Sequence, residues 1–197
     1  MPFDLFLGLL VYAFVSSVTP GPNNMMLMAS GVNFGFRRTI PHMLGIAIGF
    51  FVLLLSVGFG LGALLHAVPA LQTGLKLASL VYMLWLAWKI ATSGAMGEAR
   101  ASGQPLTFGQ AAAFQWVNPK AWAMALVAMG AYTQADAPVL SVVLVGTAFA
   151  IVNLPSVSVW AGFGVALRGF LSDPRRLRIF NIAMGLALVA SIWPMLR

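Results

Sequence analysis

The chain has 197 residues, of which 60% are hydrophobic and 8% are charged, and its mean hydropathy is +0.93. A soluble globule of this composition would expose a large apolar surface, so we predict an integral membrane protein. The net charge of +7 would suggest nucleic acid for a soluble protein, but the basic residues stand between apolar runs, which argues against nucleic acid as a partner. The absence of cysteine excludes disulfides, thiolate nucleophiles and thiolate metal sites.

Six apolar runs follow one another, and each is long enough to cross about 30 Å of hydrocarbon as a helix of about 20 residues. They occupy residues 5–30, 40–65, 71–92, 107–132, 138–167 and 177–196. The predicted fold class is therefore an all-α integral membrane protein with six transmembrane helices that contact membrane lipid. The fifth run is long enough to tilt, or to be broken near Asn153 and Pro155.

Two of these runs contain strong helix breakers. Residues 19–24 (TPGPNN) interrupt the first run, and residues 118–120 (NPK) interrupt the fourth. A proline inside a helix removes a backbone hydrogen bond, and the groups it frees can be satisfied only by protein or by a water-filled cavity. We therefore predict that helices 1 and 4 are broken at proline.

The polar linker at residues 98–105 (EARASGQP) divides the chain into two halves of three runs each. Because three is odd, the second half must enter the membrane from the opposite side, which predicts two inverted three-helix repeats. The prediction is one transmembrane domain over residues 1–197, with pseudo-repeats at about 1–97 and 105–197. Paired breaks in matching runs of such halves indicate the central binding site of a transporter.

Basic residues concentrate in alternate connections between the runs. Connections one, three and five hold eight of the eleven: Arg37, Arg38, Lys89, Arg100, Arg168, Arg175, Arg176 and Arg178. The intervening connections are short and lack lysine and arginine. By the positive-inside rule, these basic connections face the cytoplasm and both termini face away from it.

Lys120 follows Thr107 by 13 residues, or about 20 Å of helix, which places its backbone near the middle of the membrane. An unpaired lysine there costs about 2.5–3.5 kcal/mol, so its charge should face a cavity or a partner. The alternative is a side chain that snorkels to the nearer interface. The adjacent proline and asparagine, which already open the helix, favour a functional role.

The breaks also bring together groups suited to an amino acid. A helix restarting after residues 20–24 offers free amides and a positive dipole end to a carboxylate, while asparagines both donate and accept hydrogen bonds. The alternative is a purely structural kink. Asn153 could form a third wall or simply bond two helices. The predicted substrate-binding residues are Pro20, Gly21, Pro22, Asn23, Asn24, Asn118, Pro119, Lys120 and Asn153.

No aspartate or glutamate lies within a run, which disfavours cationic ligands and leaves proton coupling without a buried carboxylate. His42 lies near a run end and is interpreted as an interfacial or packing residue rather than a proton relay. The pairs Gly45 with Gly49 and Gly58 with Gly62 allow close helix approach, either within the bundle or between subunits of a homodimer.

A recognisable set of motifs occurs in a fixed order. It comprises TPGPN at residues 19–23, Gly45 with Gly49, YMLWLAWK at 82–89, NPKA at 118–121, and Asn181 with Gly185. With these motifs the chain resembles, from about residue 3 to 190, the LysE/RhtB family of bacterial amino-acid exporters.

The resemblance implies an exporter of amino acids or their derivatives in the bacterial cytoplasmic membrane, driven by a proton or another ion gradient. It carries functional expectation onto the motif residues Pro20, Gly21, Pro22, Asn23, Asn118, Pro119 and Lys120. Members of the family export basic, neutral or sulfur-containing amino acids, so the substrate is not selected. Some members use an acidic residue in the second span, and residues 43–51 contain none here. This argues against export of lysine or arginine.

Secondary efflux of neutral amino acids is therefore the leading hypothesis, with no cofactor and no metal. A small channel or a non-transporting membrane scaffold would use the same helices without a substrate site. Export of metal ions is a weaker alternative, because Met25, Met26 and Met28 have no cysteine or histidine cluster beside them. An enzyme is not predicted, since the runs contain no paired carboxylates and no serine with a placed base.

Overall fold

The computed structural model describes residues 1–92 and 104–191, and within them every regular element is helical, which confirms the all-α class. Most of the linker at residues 98–105, Arg100 and the end of the sixth run lie outside the described residues. The helices are α1 (Phe3–Val18), α2 (Pro22–Phe34), α3 (Phe36–Ser56), α4 (Gly62–Ala67), α5 (Pro69–Ala91), α6 (Phe108–Phe114), α7 (Pro119–Tyr132), α8 (Pro138–Leu167) and α9 (Pro174–Ala190).

Three helical segments of the described chain are long and apolar enough to cross a membrane: Phe36–Leu65, Pro69–Ala91 and Pro138–Leu167. The shortest has 23 residues, or about 35 Å of helix, which exceeds the hydrocarbon thickness. The bent pair α1 and α2 forms a fourth if it is counted as one span. The helices α6, α7 and α9 are each shorter than the hydrocarbon thickness, so the six-span count stays a prediction.

The first apolar run folds as two helices whose axes differ by 53°. α1 ends at Val18, and Gly21 is fully extended (φ −177°, ψ 179°) immediately before α2. Pro22 occupies the first turn of α2, where its missing N–H costs nothing because that group has no helical partner. The Thr19 amide still donates to the carbonyl oxygen of Val15, and the Gly21 carbonyl accepts from the amide of Met25, so the break is confined to the residues between them.

The fourth run also folds in two pieces. α6 starts at a capping box, in which the Thr107 hydroxyl accepts from the amide of Gln110 and the Gln110 side chain accepts from the amide of Thr107. A 3-10 turn (Gln115–Val117) then leads to Asn118, whose Oδ1 accepts from the amide of Lys120 at 3.1 Å. This side-chain cap starts α7 with Pro119 in its first turn.

The unbroken helix α8 lies at the centre, where it packs against α1, α2 and α3. The fifth run is thus continuous through Pro155. Its crossing with α2 is very close: a Cβ on Gly31 would overlap the carbonyl oxygen of Ala161, and one on Gly164 would overlap that of Met28. Two backbones approach this closely only when small residues line the contact.

The paired glycines of the second run are also used within the chain. A Cβ on Gly49 would lie 2.5 Å from the Cα of Ala112 in α6, and one on Gly58 would lie 2.6 Å from Cγ1 of Val142 in α8. Gly45 likewise faces the backbone of Phe108. Of the two roles open from sequence, these contacts give the glycines the one within the bundle.

Candidate functional site

A polar cavity lies where the two helix interruptions meet, and we call it the central cavity. It lies between two hydrophobic clusters, with Phe50, Ala121 and Met124 from one and Val157 from the other in its wall. The space is narrow, with a cavity volume of only about 20 Å³. Its polar lining comprises Ser16, Ser17, Gly21, Asn23, Asn24, Gln115, Asn118, Lys120 and Asn153.

Lys120 is the ionisable side chain in this described lining, and it joins the two interruptions. Its Nζ donates to the carbonyl oxygen of Thr19 at 2.6 Å and lies 3.5 Å from that of Pro20. Gly21 leaves room for this reach, because a Cβ there would lie 2.7 Å from Cδ of Lys120. The ammonium from α7 thus binds carbonyls exposed by the end of α1.

The other carbonyls at this helix end are also bound by side chains from elsewhere. Asn24 Nδ2 donates to the carbonyl oxygens of Ser17 at 2.8 Å and Thr19 at 2.9 Å. Trp160 of α8 donates its indole N–H to the carbonyl oxygen of Val18 at 3.1 Å. Backbone carbonyls in an apolar setting need such partners. The interruption is therefore an ordered arrangement that draws on α2, α7 and α8.

Asn23 and Gln115 form an amide pair across the cavity. Asn23 Nδ2 donates to Oε1 of Gln115 at 2.9 Å, and Gln115 Nε2 donates to Oδ1 of Asn23 at 3.1 Å. Gln115 also donates to the carbonyl oxygen of Ala111 and is fully buried. Sequence reasoning missed this residue, although a glutamine three positions before Asn118 in an apolar run was an available signal.

Asn153 of α8 contacts the cavity and also links two helices. Its Nδ2 donates to the hydroxyl oxygen of Ser17 at 3.1 Å, so α8 is bonded to α1. Its Oδ1 is buried and has no hydrogen-bond partner among the described residues. A buried acceptor without a partner is costly unless water or a ligand supplies a donor. Ser17, like Ser16, was not singled out from sequence.

The prolines predicted for the site shape the backbone around it. Pro20 is exposed, Pro119 is half-buried and Pro22 is buried, and none of them is in the described cavity wall. By contrast, the six other predicted residues, Gly21, Asn23, Asn24, Asn118, Lys120 and Asn153, all contribute to it. In the part of the chain that the structure describes, no three His, Cys, Asp or Glu side chains come close enough to hold a metal ion.

The described parts of the basic connections lie at one end of the bundle. Gly35, between α2 and α3, has the positive φ of 84° that glycine tolerates, and the Arg168 guanidinium from the end of α8 lies beside it. Lys89, in the last turn of α5, lines a second cavity together with Phe34 at the end of α2. We call this end, where α2, α5 and α8 finish, the basic end.

These features define a class: a multi-pass helical membrane protein with a polar cavity buried between interrupted helices. A family model for the LysE type translocator matches residues 14–190. The chain belongs to this family, which confirms the resemblance and makes the protein a transporter rather than an enzyme.

Curated relatives are efflux proteins. The cysteine/O-acetylserine efflux proteins of Escherichia coli strain K12 and Salmonella typhimurium strain LT2 are each 32% identical over 183 residues. The protein of the same name from Escherichia coli O139:H28 is 31% identical over the same length. Each alignment covers 90% of this chain and 90% of the relative. No solved structure matches the chain.

Proposed function

We propose that this protein is a secondary transporter that exports small neutral amino acids or their derivatives from the bacterial cytoplasm. The observation that carries the proposal is the Lys120 ammonium, held between two helix interruptions in a cavity whose described lining contains no carboxylate. A half-buried cation without a paired anion favours a ligand that brings its own carboxylate. The family and the efflux function of the relatives support the same conclusion.

The head group of an amino acid carries a carboxylate and an ammonium, and the central cavity offers a partner for each. Its carboxylate would replace the Thr19 carbonyl as the partner of Lys120, and its ammonium would donate to the free Oδ1 of Asn153. Few polar groups remain for a charged side chain. The relatives are named for cysteine and O-acetylserine, both of which are neutral in the side chain and small, and we propose substrates of that kind.

The proposed architecture is six spans in two inverted halves, about 1–97 and 105–197, within one domain in the inner membrane. The basic end would face the cytoplasm and both termini the opposite side. Rocking of the halves around the central cavity would give alternating access, coupled to a proton or another ion gradient. The narrowness of the cavity supports this motion, because an amino acid needs the halves to part before it can enter.

Uptake of labelled O-acetyl-L-serine into inside-out vesicles tests the proposal. We expect Lys120→Met to reduce the initial rate at least about tenfold, as expected for losing a charge-assisted hydrogen bond of about 1.5–3 kcal/mol. Lys76→Met is the matched control, because Lys76 is exposed on α5 and should transport like the unmodified protein. Equal rates for the two variants would contradict the role of Lys120.

A channel would behave differently in the same vesicles. The transporter should show counterflow, in which unlabelled O-acetyl-L-serine trapped inside lets the labelled compound accumulate transiently above its outside concentration. A pore gives no such accumulation, so its absence would favour the channel alternative over the transporter.

A further inference from the structure

A second polar cavity lies toward the basic end, and we call it the basic-end cavity. Ser30 and Asn33 of α2, His42 of α3, Lys89 of α5 and Gln104 contribute its polar groups. Its volume of about 70 Å³ is larger than that of the central cavity. Its apolar wall includes Met26 and Leu86.

His42 lies at this cavity, and within the described chain its ring makes no hydrogen bond. The side chain is 1% exposed, and neither Nδ1 nor Nε2 has a hydrogen-bond partner among the described residues. A neutral imidazole presents one donor and one acceptor, and both need partners when buried. Sequence reasoning interpreted His42 as an interfacial or packing residue, but full burial at a polar cavity with two unbonded nitrogens is not explained by packing.

Asn33 adds a third unpartnered atom with a fixed orientation. Its Nδ2 donates to the carbonyl oxygen of Ala29 at 2.8 Å and to Oδ1 of Asn181 at 3.3 Å. With both bonds made by Nδ2, the buried Oδ1 is left as an acceptor without a partner in the described structure. Ser30 does not supply one, because its hydroxyl pairs with that of Thr39 at 2.8 Å.

We propose that the basic-end cavity is a second binding site for the transported amino acid, which it occupies before it reaches Lys120. The carboxylate would accept the imidazole N–H of His42, and the ammonium would donate to Oδ1 of Asn33. A zwitterion matches the site because it supplies an acceptor and several donors together. Lys89 at the wall adds positive potential for the carboxylate. This inference rests on the proposed function and names where its substrate first binds.

The position of α2 supports two sites in series. Its first turn places Asn23 and Asn24 at the central cavity, and Ser30 and Asn33, two turns later, line the basic-end cavity. The same helix therefore contacts both sites, and movement of α2 would alter both. Water fills such a polar cavity between substrates and satisfies the same atoms.

The test exploits the absence of cysteine from the natural chain. Ala29→Cys introduces a small side chain into the basic-end cavity wall, and Ser172→Cys, on the exposed turn before α9, is its control. Both are labelled in inside-out vesicles with a membrane-impermeant methanethiosulfonate, with and without O-acetyl-L-serine, which has no thiol. We expect O-acetyl-L-serine to slow labelling of Ala29→Cys several-fold and to leave Ser172→Cys unaffected.

Adding His42→Leu to Ala29→Cys should abolish the protection, whereas His42→Gln, which keeps a donor and an acceptor, should retain it. If the leucine variant does not accumulate in the membrane, the glutamine and single-cysteine variants still decide the matter. Reaction of Ser172→Cys without any reaction of Ala29→Cys would overturn the proposal. The proposal would also be overturned if His42→Leu kept the protection but lost the substrate accumulation that a pH gradient drives. His42 would then serve proton coupling rather than substrate binding.

Transport and protection are read separately, so the two proposals can fail separately. Uptake by the wild-type protein without protection at Ala29→Cys would overturn the second site and leave the exporter in place. Protection without wild-type uptake would keep the site and reject transport of O-acetyl-L-serine. If neither is seen, both are rejected.

Discussion

The amide pair between Asn23 and Gln115 shows how much of the site depends on single side chains. The two residues are 92 positions apart, yet each amide donates to the oxygen of the other. Gln115 is fully buried and Asn23 is half-buried, so loss of either partner leaves polar atoms of the other without this bond. The pair therefore links the two helix interruptions as a unit.

Removing both partners should cost less than the sum of the costs of removing each one alone. We expect Gln115→Leu to lower the stability of the purified protein by about 1–3 kcal/mol, because Asn23 is left with an unpaired amide. The double variant Asn23→Leu/Gln115→Leu should lose less than the sum of the two single variants. Thermal unfolding in detergent, followed by circular dichroism, measures all four proteins. Strict additivity would mean that the pair contributes no coupling.

The sequence identified the groups whose chemistry is unusual in a membrane and missed those whose chemistry is ordinary. Lys120 and the prolines stand out because a charge or a missing N–H is costly in hydrocarbon. Gln115 and Ser17 do not, since single amides and hydroxyls commonly bond a neighbouring helix. Their inclusion in the cavity depends on long-range pairing, which a single sequence does not reveal.

At the scale of helices, α2, which belongs to the interrupted first run, packs closely across the unbroken helix α8. Gly31 and Gly164 let the two backbones touch, and no side chain fits between them. The same two helices carry Asn24 and Asn153 to the central cavity. Any separation of the backbones would therefore be transmitted to the cavity wall.

Gly162 and Gly164, two residues apart on α8, allow a matched test of this contact. Gly164→Ala should destabilise the protein by about 1–3 kcal/mol, because the new methyl group overlaps the Met28 carbonyl. Gly162→Ala meets nothing within 4 Å and should be neutral or up to about 1 kcal/mol stabilising. Thermal unfolding in detergent compares them. Similar losses in both would show that the crossing tolerates expansion.

Helix positions followed from the apolar runs, whereas helix continuity did not. The third and fifth runs correspond closely to α5 and α8, because nothing in them interrupts the backbone decisively. The first and fourth runs divide into helices of 16 and 13 residues and of 7 and 14 residues. Hydropathy counts a run as one span whether or not it is bent, which is why the first and fourth runs are not among the three unbent qualifying spans. The sixth run is not among them because its described helix has 17 residues.

For the molecule as a whole, the side of the membrane that the basic end faces is the part of the proposed topology that can be tested directly. Ala135 lies in the connection between α7 and α8, and Ser172 lies between Arg168 and the arginines in the first turns of α9. Single-cysteine variants at these two exposed positions report opposite sides if α8 crosses the membrane.

We expect an impermeant maleimide to label Ala135→Cys in intact cells, and to label Ser172→Cys only after the cells are permeabilised, because the basic end should face the cytoplasm. The unmodified chain, which has no cysteine, is the blank. The reverse pattern would invert the proposed topology, and labelling of both in intact cells would mean that α8 does not separate them.

The bond from Lys120 to the carbonyl of Thr19 has a consequence for the return journey of the protein. With no substrate bound, the ammonium keeps its charge but donates to a carbonyl of its own main chain, so the empty protein still has a hydrogen-bond partner for this group. The empty protein can then reorient without a bound substrate. Such an arrangement favours net export over obligatory exchange of one substrate molecule for another.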